Sequence, residues 1–296
     1  MNAIRGASGL FYAVLSSATF GLIPLFSIPL LSIGIGSPTI LFYRFALAAV
    51  IMAIIMLAGG YSFAIRREVV GRVILLAMLY AATAVLLLES YKYIPSGIAT
   101  TIHFLYPLVV TMVMSLIYRE PMGVGIYLAV VISLAGVAML AWGNHSVGNF
   151  PRGVTLALCT VVSYAAYIIG VMKSRVASIN AVVLTFYMLA IGALLFLLYA
   201  LSTEGVEAVH HWSSWRDMLM LALVCTVLSD LTLVMAIKRI GSTLTSILGS
   251  MEPLTAVVIG VVYFGERLDL SSIIGLIMII VAVIIVIIAS GRRAKV

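Results

Sequence analysis

One pattern occurs twice in this chain and governs what the chain can become. The first copy, KYIPSGIATTIHFLYPLVVTMVMSLIYREP, runs from Lys92 to Pro121, and the second, KRIGSTLTSILGSMEPLTAVVIGVVYFGER, from Lys238 to Arg267. A constant offset of 146 positions lays Lys92 on Lys238, Ile94 on Ile240, Ser96 on Ser242, Pro107 on Pro253, Leu108 on Leu254 and Glu120 on Glu266. Each copy reads as a basic turn, an apolar helix with a proline midway, and a closing glutamate. A repeat near half the chain length is too long for a solenoid unit and points to a duplicated half-protein. Weaker echoes at an offset of 144, Gly9 with Gly153 and Phe42-Tyr43 with Phe186-Tyr187, extend the duplication outside the two copies.

Composition decides the medium. With 64% apolar residues and 9% charged over 296 positions, and a mean hydropathy of +1.25, the chain lies far from soluble domains, which are about half apolar and a quarter charged. Apolar runs long enough to cross a bilayer recur along the whole length. Ten spans fit: about 10–31, 37–57, 72–90, 97–117, 124–142, 153–172, 180–200, 215–236, 242–262 and 271–290. The expected fold is therefore an all-α integral membrane protein of ten helices in two five-helix halves, residues 1–145 and 150–296. The Leu10–Leu31 run is too long for a signal-peptide core and reads as the first span.

Charge sets the orientation. With the N-terminus in the cytoplasm, twelve basic residues face inward: Arg5, Arg66, Arg67, Arg72, Arg119, Lys173, Arg175, Lys238, Arg239, Arg292, Arg293 and Lys295. Four face outward: Lys92, Arg152, Arg216 and Arg267. The positive-inside bias places both termini in the cytoplasm and accounts for the +7 net charge without nucleic acid. An odd number of spans per half makes the second half enter from the other side, so the repeat is inverted, an arrangement suited to alternating access about a midplane site. Cys159 and Cys225 fall in apolar spans and indicate neither a disulfide framework nor a metal site.

Ionisable residues inside a span cost roughly 2.5–3.5 kcal/mol each at the centre, so each needs a reason. Glu252, beside Pro253, is either a substrate contact or proton-coupling group, or a carboxyl bonded to backbone groups that the proline frees. Asp230 is a cavity candidate, with inner-rim pairing to Lys238 or Arg239 as the plainer reading. Arg44 is a candidate for a charge pair across the bundle, or it snorkels outward. His103 shares a polar helix face with Tyr106 and Pro107, as a packing residue or as part of a site. Glu89 and Lys92 read as rim residues. Tyr12, Tyr127, Trp142, Trp212 and Trp215 fit interfacial belts, whereas Phe20, Tyr80, Tyr164 and Tyr167 lie deeper and suit the wall of a cavity for small amphipathic solutes. Pro24, Pro107 and Pro253 are candidate bending points. The span at 271–290 is apolar on every face, and with its counterpart at 124–142 it reads as lipid-facing scaffold or a homodimer contact.

LESYKYIPSGIATTIHFLYPL with YREP, and MAIKRIGSTLTSILGSMEPLTAVV with YFGER, resemble the drug/metabolite transporter superfamily, in particular its EamA-type ten-helix exporters. The resemblance covers essentially the whole chain. It implies a multi-pass protein of the bacterial inner membrane exporting amino acids or other small zwitterionic, aromatic or amphipathic metabolites, with a cavity between spans 1–4 and 6–9. It implies no cofactor and no protein or nucleic-acid partner beyond lipid and a second copy. Import or exchange of a choline-like cation or a purine-type solute, with Glu252 as counter-charge, is the alternative. An intramembrane enzyme is not expected, since no HExxH, no nucleophile with a paired base and no metal-ligand cluster is present. No Walker A sequence is present either, so ATP hydrolysis is not expected of this chain.

Overall fold

The structure, a computed structural model, describes residues 2–94, 96–119, 123–141, 150–203, 205–263 and 270–293. Glu120, Pro121, Trp142, Glu266, Arg267 and Lys295 lie outside the described residues. Every described regular element is a helix: α1 (Asn2–Phe20), α2 (Ile23–Ser32), α3 (Ser37–Ala58), α4 (Arg67–Ser90), α5 (Ser96–His103), α6 (Tyr106–Leu116), α7 (Val124–Ala141), α8 (Phe150–Lys173), α9 (Ala181–Ser202), α10 (Trp212–Ala222), α11 (Ser229–Leu248), α12 (Met251–Val262) and α13 (Leu270–Arg293), with a π turn at Leu223–Leu228 and a short 3-10 turn at Arg175–Ser178.

Among the described residues, six helical stretches are long and apolar enough to cross a bilayer: Gly6–Ser32, Ser37–Ala58, Arg67–Ser90, Pro151–Lys173, Ala181–Ser202 and Trp212–Leu248. Shorter apolar helices run over Tyr106–Leu116, Val124–Gly136 and Ile273–Ala282. The difference from ten uniform spans has local causes. Short of Pro107, the α5–α6 segment loses one turn of regular bonding at Phe104–Leu105, where Leu105 N–H reaches back three residues to Ile102. Near Pro253 the same slip occurs at Gly249–Ser250, with Ser250 N–H on Ile247. Near Pro24 it occurs at Gly21–Leu22, with Leu22 N–H on Thr19. In all three cases the proline falls in the first turn of the following helix, where a missing N–H costs nothing. The continuous α8, which aligns with the α1–α2 segment, has no proline beyond Pro151 in its first turn and no such break. α11 is two helical segments that meet without a loop at Gly241, whose φ of 85° and ψ of 165° are not helical and suit a residue without a Cβ, and this break falls between the expected spans 215–236 and 242–262.

Side chains are sorted for a lipid solvent. Phe11, Val50, Ile54, Leu57, Leu194, Leu198 and Ile277 point outward, while Ser17, Thr83, His103, Thr160 and Ser163 are buried between helices. The hydroxyls of Ser17, Thr83, Thr160 and Ser163 hydrogen-bond backbone or each other, as a medium without water favours, whereas those of Ser16, Ser37, Thr111, Thr185, Ser242, Thr243 and Ser250 have no partner among the described residues. α4 and α8 run antiparallel. Ile94 lies against Gly153, Thr83 Oγ1 and Ser163 Oγ are 2.7 Å apart, and Leu76 fills the gap at Gly170. α1 packs along α11, α3 along α9, and α7 along α13.

Two contacts answer each other across the halves. Gly9 of α1 packs on Ile240 and Arg239, and its counterpart Gly153 of α8 packs on Ile94 and Tyr93. A Cβ at Gly153 would stand 2.7 Å from the Ile94 side chain. Glycine at these positions is a close-approach requirement rather than a flexible joint. The α7–α13 pair meets at Gly136, where a Cβ would lie 2.8 Å from the Gly275 carbonyl.

Candidate functional site

Helical spacing builds one wall of a central cavity. Tyr80, Thr83, Ala84, Leu87, Leu88 and Tyr91 recur every three or four residues along α4 and form a single stripe. Facing it are Phe20 and Ile23 from the break between α1 and α2, Arg44 of α3, His103 at the end of α5, Tyr164 of α8 and Glu252 in the first turn of α12. The space among these residues, counted out into the open mouth, is about 450 Å³, of which only about 40 Å³ is room for the centres of water-sized molecules. Residues from both halves of the chain line it.

Phe20, Tyr80, His103, Tyr164, Arg44 and Glu252 thus converge as wall residues. Tyr106, Tyr167 and Asp230, expected in the wall, stand one layer behind it. Tyr167 lies 5.1 Å from the Tyr80 ring and 6.0 Å from Tyr164, and Tyr106 meets Tyr164 edge-on at 4.7 Å. This aromatic layer supports the wall rings and keeps them from turning. Phe45 continues it at 5.7 Å from Tyr80.

Asp230 is not a rim residue paired with lysine or arginine. It is buried, and its Oδ1 accepts a 2.6 Å hydrogen bond from Tyr80 Oη, while Oδ2 has no partner among the described residues. Lys238 turns away and donates to the carbonyls of Ala177 and Ile179. Glu89 and Lys92 do pair with each other, at 2.9 Å.

Arg44 does not form the expected charge pair. It is 5% exposed, its Nε donates to Thr226 Oγ1 at 2.6 Å and its Nη2 to the Cys225 carbonyl at 3.2 Å, with no ion pair among the described residues. Both partners lie in the π turn. Widening the helix at Leu223–Leu228 shifts backbone bonding by one residue, and the Thr226 hydroxyl bonds five residues back to Leu221 at 2.7 Å. The Cys225 carbonyl lies in this turn and accepts from the guanidinium.

His103 Nδ1 lies 2.8 Å from Thr160 Oγ1, whose own proton is directed at the Ala157 carbonyl at 2.5 Å. The hydroxyl is then an acceptor, so the proton sits on Nδ1 and the Nε2 lone pair is left for the cavity. At the junction related by the repeat, Ser17 Oγ donates to the Gly249 carbonyl at 2.6 Å. Glu252 is 7% exposed, and its carboxyl has no hydrogen-bond partner among the described residues. Gly21 lies against its backbone, where a Cβ would be 2.5 Å from the Glu252 carbonyl.

Ile23, Thr83, Ala84, Leu87, Leu88 and Tyr91 are wall residues that reading the sequence passed over. The stripe spacing from Tyr80 was the signal for those on α4. Among the described residues no cluster of three metal-ligating side chains occurs.

Comparison with known proteins supplies the family. The sequence model of the EamA-like transporter family matches residues 7–142 and again 151–288. The threonine/homoserine exporter RhtA of Escherichia coli (strain K12) is 27% identical over 186 residues, 60% of this chain and 58% of its own length. The match therefore spans just over half of that relative. The uncharacterized inner membrane transporter YedA of Escherichia coli (strain K12) is 24% identical over 228 residues, 76% of this chain and 73% of its own. One crystal structure of a protein superimposes with a TM-score of 0.78 over 96% of this chain and 98% of its own at 17% identity, a likeness of fold alone. Two family matches cover nearly the whole chain, and bilayer-length apolar helices around a central cavity make this a multi-pass membrane protein: the chain belongs to the EamA-like transporter family.

Proposed function

We propose that this chain is a secondary transporter exporting small zwitterionic, aromatic or amphipathic metabolites such as amino acids, by alternating access. The observation that carries the reading is the cavity itself: it lies between the two halves, with aromatic rings on its wall and both signs of charge present. Ring faces take up the apolar part of a solute, and a few placed polar groups orient it. The name of the relative RhtA, a threonine/homoserine exporter, points the same way.

In this reading the chain has ten spans in two inverted halves, residues 1–145 and 150–296, set in a bacterial inner membrane with both termini cytoplasmic. The matched contacts Gly9–Ile240 and Gly153–Ile94, and the pairing of α3 with α9 and α7 with α13, support two halves related by exchange. The breaks before Pro107 and Pro253 supply bending points at related positions. A choline-like cation is the weaker substrate, because Arg44 stands on the same wall as Glu252.

The test is counterflow in proteoliposomes of the purified chain with amino acids, quaternary amines and purines, after a thermal-shift screen of the same panel. Amino-acid counterflow supports the reading. Counterflow confined to quaternary amines or purines replaces it.

A further inference from the structure

The two charges on the cavity wall are not used up by the protein. Three N–H donors of Arg44 lie on Nε and Nη2, which face Thr226 and the Cys225 carbonyl. The remaining donors, on Nη1, have no protein acceptor among the described residues, although the residue lines the cavity. Glu252 has no donor among the described residues, and it lines the same cavity. The two form no ion pair with each other.

A lone charge in a low-dielectric wall is costly, and either would be relieved by pairing or by a solute. The two stand on the same wall without touching, so each keeps room for a direct partner of opposite charge. A monoanion would satisfy Arg44 and face Glu252 with like charge. A monocation would do the reverse. A small solute carrying both charges answers both at once.

We infer that Arg44 and Glu252 are the two poles of a zwitterion site, the guanidinium taking the α-carboxylate and the Glu252 carboxylate the α-ammonium of a free amino acid. The π turn has a part in this. Its Thr226 hydroxyl and Cys225 carbonyl hold the guanidinium before substrate arrives, so little ordering is left for binding. Tyr164 and Phe20 are left for the side chain of the solute. The inference rests on the transport reading above and narrows its substrate class to molecules with both α-groups free.

The test pairs ligand truncation with mutation in proteoliposomes of the full chain. L-threonine, L-threonine amide and N-acetyl-L-threonine compete for L-threonine counterflow with the wild type, Glu252→Gln and Arg44→Gln. For the wild type, each truncated ligand is expected to compete about 30-fold or more weakly than the parent, the scale set by leaving a buried charge unpaired. Glu252→Gln should restore the N-acetyl compound and not the amide. Arg44→Gln should restore the amide and not the N-acetyl compound. Damage to the fold would weaken all three ligands together, without that crossed recovery. Should Arg44→Gln not yield folded protein, the Glu252→Gln arm decides alone. Equal competition by all three ligands in the wild type, or recovery without crossing, overturns the two-pole site and leaves amino-acid transport standing. Absence of counterflow with every protein amino acid removes the transport reading, and this inference with it.

Discussion

Tyr80 Oη donates a 2.6 Å hydrogen bond to Asp230 Oδ1, tying α4 to α11 across the interior of the bundle. The second carboxyl oxygen has no partner among the described residues, so this single bond carries the accommodation of a buried acid. The ring of Tyr80 faces the cavity while its hydroxyl is held from behind, which fixes the ring plane against the solute space.

Tyr80→Phe should therefore cost about 1–3 kcal/mol, the penalty of leaving a buried polar group unsatisfied rather than the modest net worth of one hydrogen bond. Melting of the purified protein in detergent measures it. The double variant Tyr80→Phe with Asp230→Leu should recover most of the loss, because removing both partners leaves nothing unpaired. A double variant less stable than Tyr80→Phe alone would show that Asp230 has another partner.

Gly153 touches Ile94 and Tyr93 as Gly9 touches Ile240 and Arg239. Gly153→Val should push α8 from the end of α4 and cost about 1–3 kcal/mol, in line with overpacked interiors. Adding Ile94→Ala should return part of that. Gly6→Ala is the control, since nothing stands within 4 Å of its added carbon. Equal melting temperatures for Gly153→Val and Gly6→Ala would mean the close approach is not a packing constraint.

These two pairs also show what could be read before the fold was known. The glycines, the mid-span prolines and the basic turns are local signals at fixed offsets, and a hydrophobic run declares its own span. The wall of α4 was legible in part, since Tyr80, Ala84, Leu87 and Tyr91 follow from helical period once one member is chosen. What the sequence does not carry is the partner across the bundle. Arg44 could have faced a carboxylate or the interface. It meets Thr226, 182 positions away, and the Cys225 carbonyl, both in a π turn that no residue type announces. Asp230 reads in the sequence as a cavity candidate with a rim pairing as the plainer reading, and the sequence does not show that it turns to the Tyr80 hydroxyl behind the wall, 150 positions away.

His103 holds Thr160 through Nδ1 and offers Nε2 to the cavity. His103→Asn keeps an N–H donor close to the Nδ1 position, so folding and most counterflow should survive. His103→Leu removes both the bond to Thr160 and the cavity acceptor, and should cost about 1 kcal/mol in stability as well as transport. Loss of counterflow in His103→Asn at unchanged melting temperature would assign the essential role to Nε2, and the dependence of the remaining rate on pH would then separate proton transfer from simple contact.

Glu252 offers the sharpest separation of stability from function. Its carboxyl is buried, faces the cavity and has no hydrogen-bond partner among the described residues. A group in that setting is a burden on the folded state, whether it is kept charged without a partner or made neutral by taking up a proton. Glu252→Gln should therefore be neutral to stabilising in the absence of solute, by up to about 1–3 kcal/mol, with a higher melting temperature in detergent. The same change should weaken amino-acid counterflow at low substrate while leaving it measurable at high substrate, the pattern of a site whose binding groups are kept at the expense of stability. Saturating amino acid should raise the melting temperature of the wild type, because a ligand bound only by the folded state stabilises it by mass action, and should do so less for the variant. If Glu252→Gln instead melts several degrees lower and responds to ligand as the wild type does, Glu252 is a structural residue bonded within the protein, and the cavity is read by its rings and Arg44 alone.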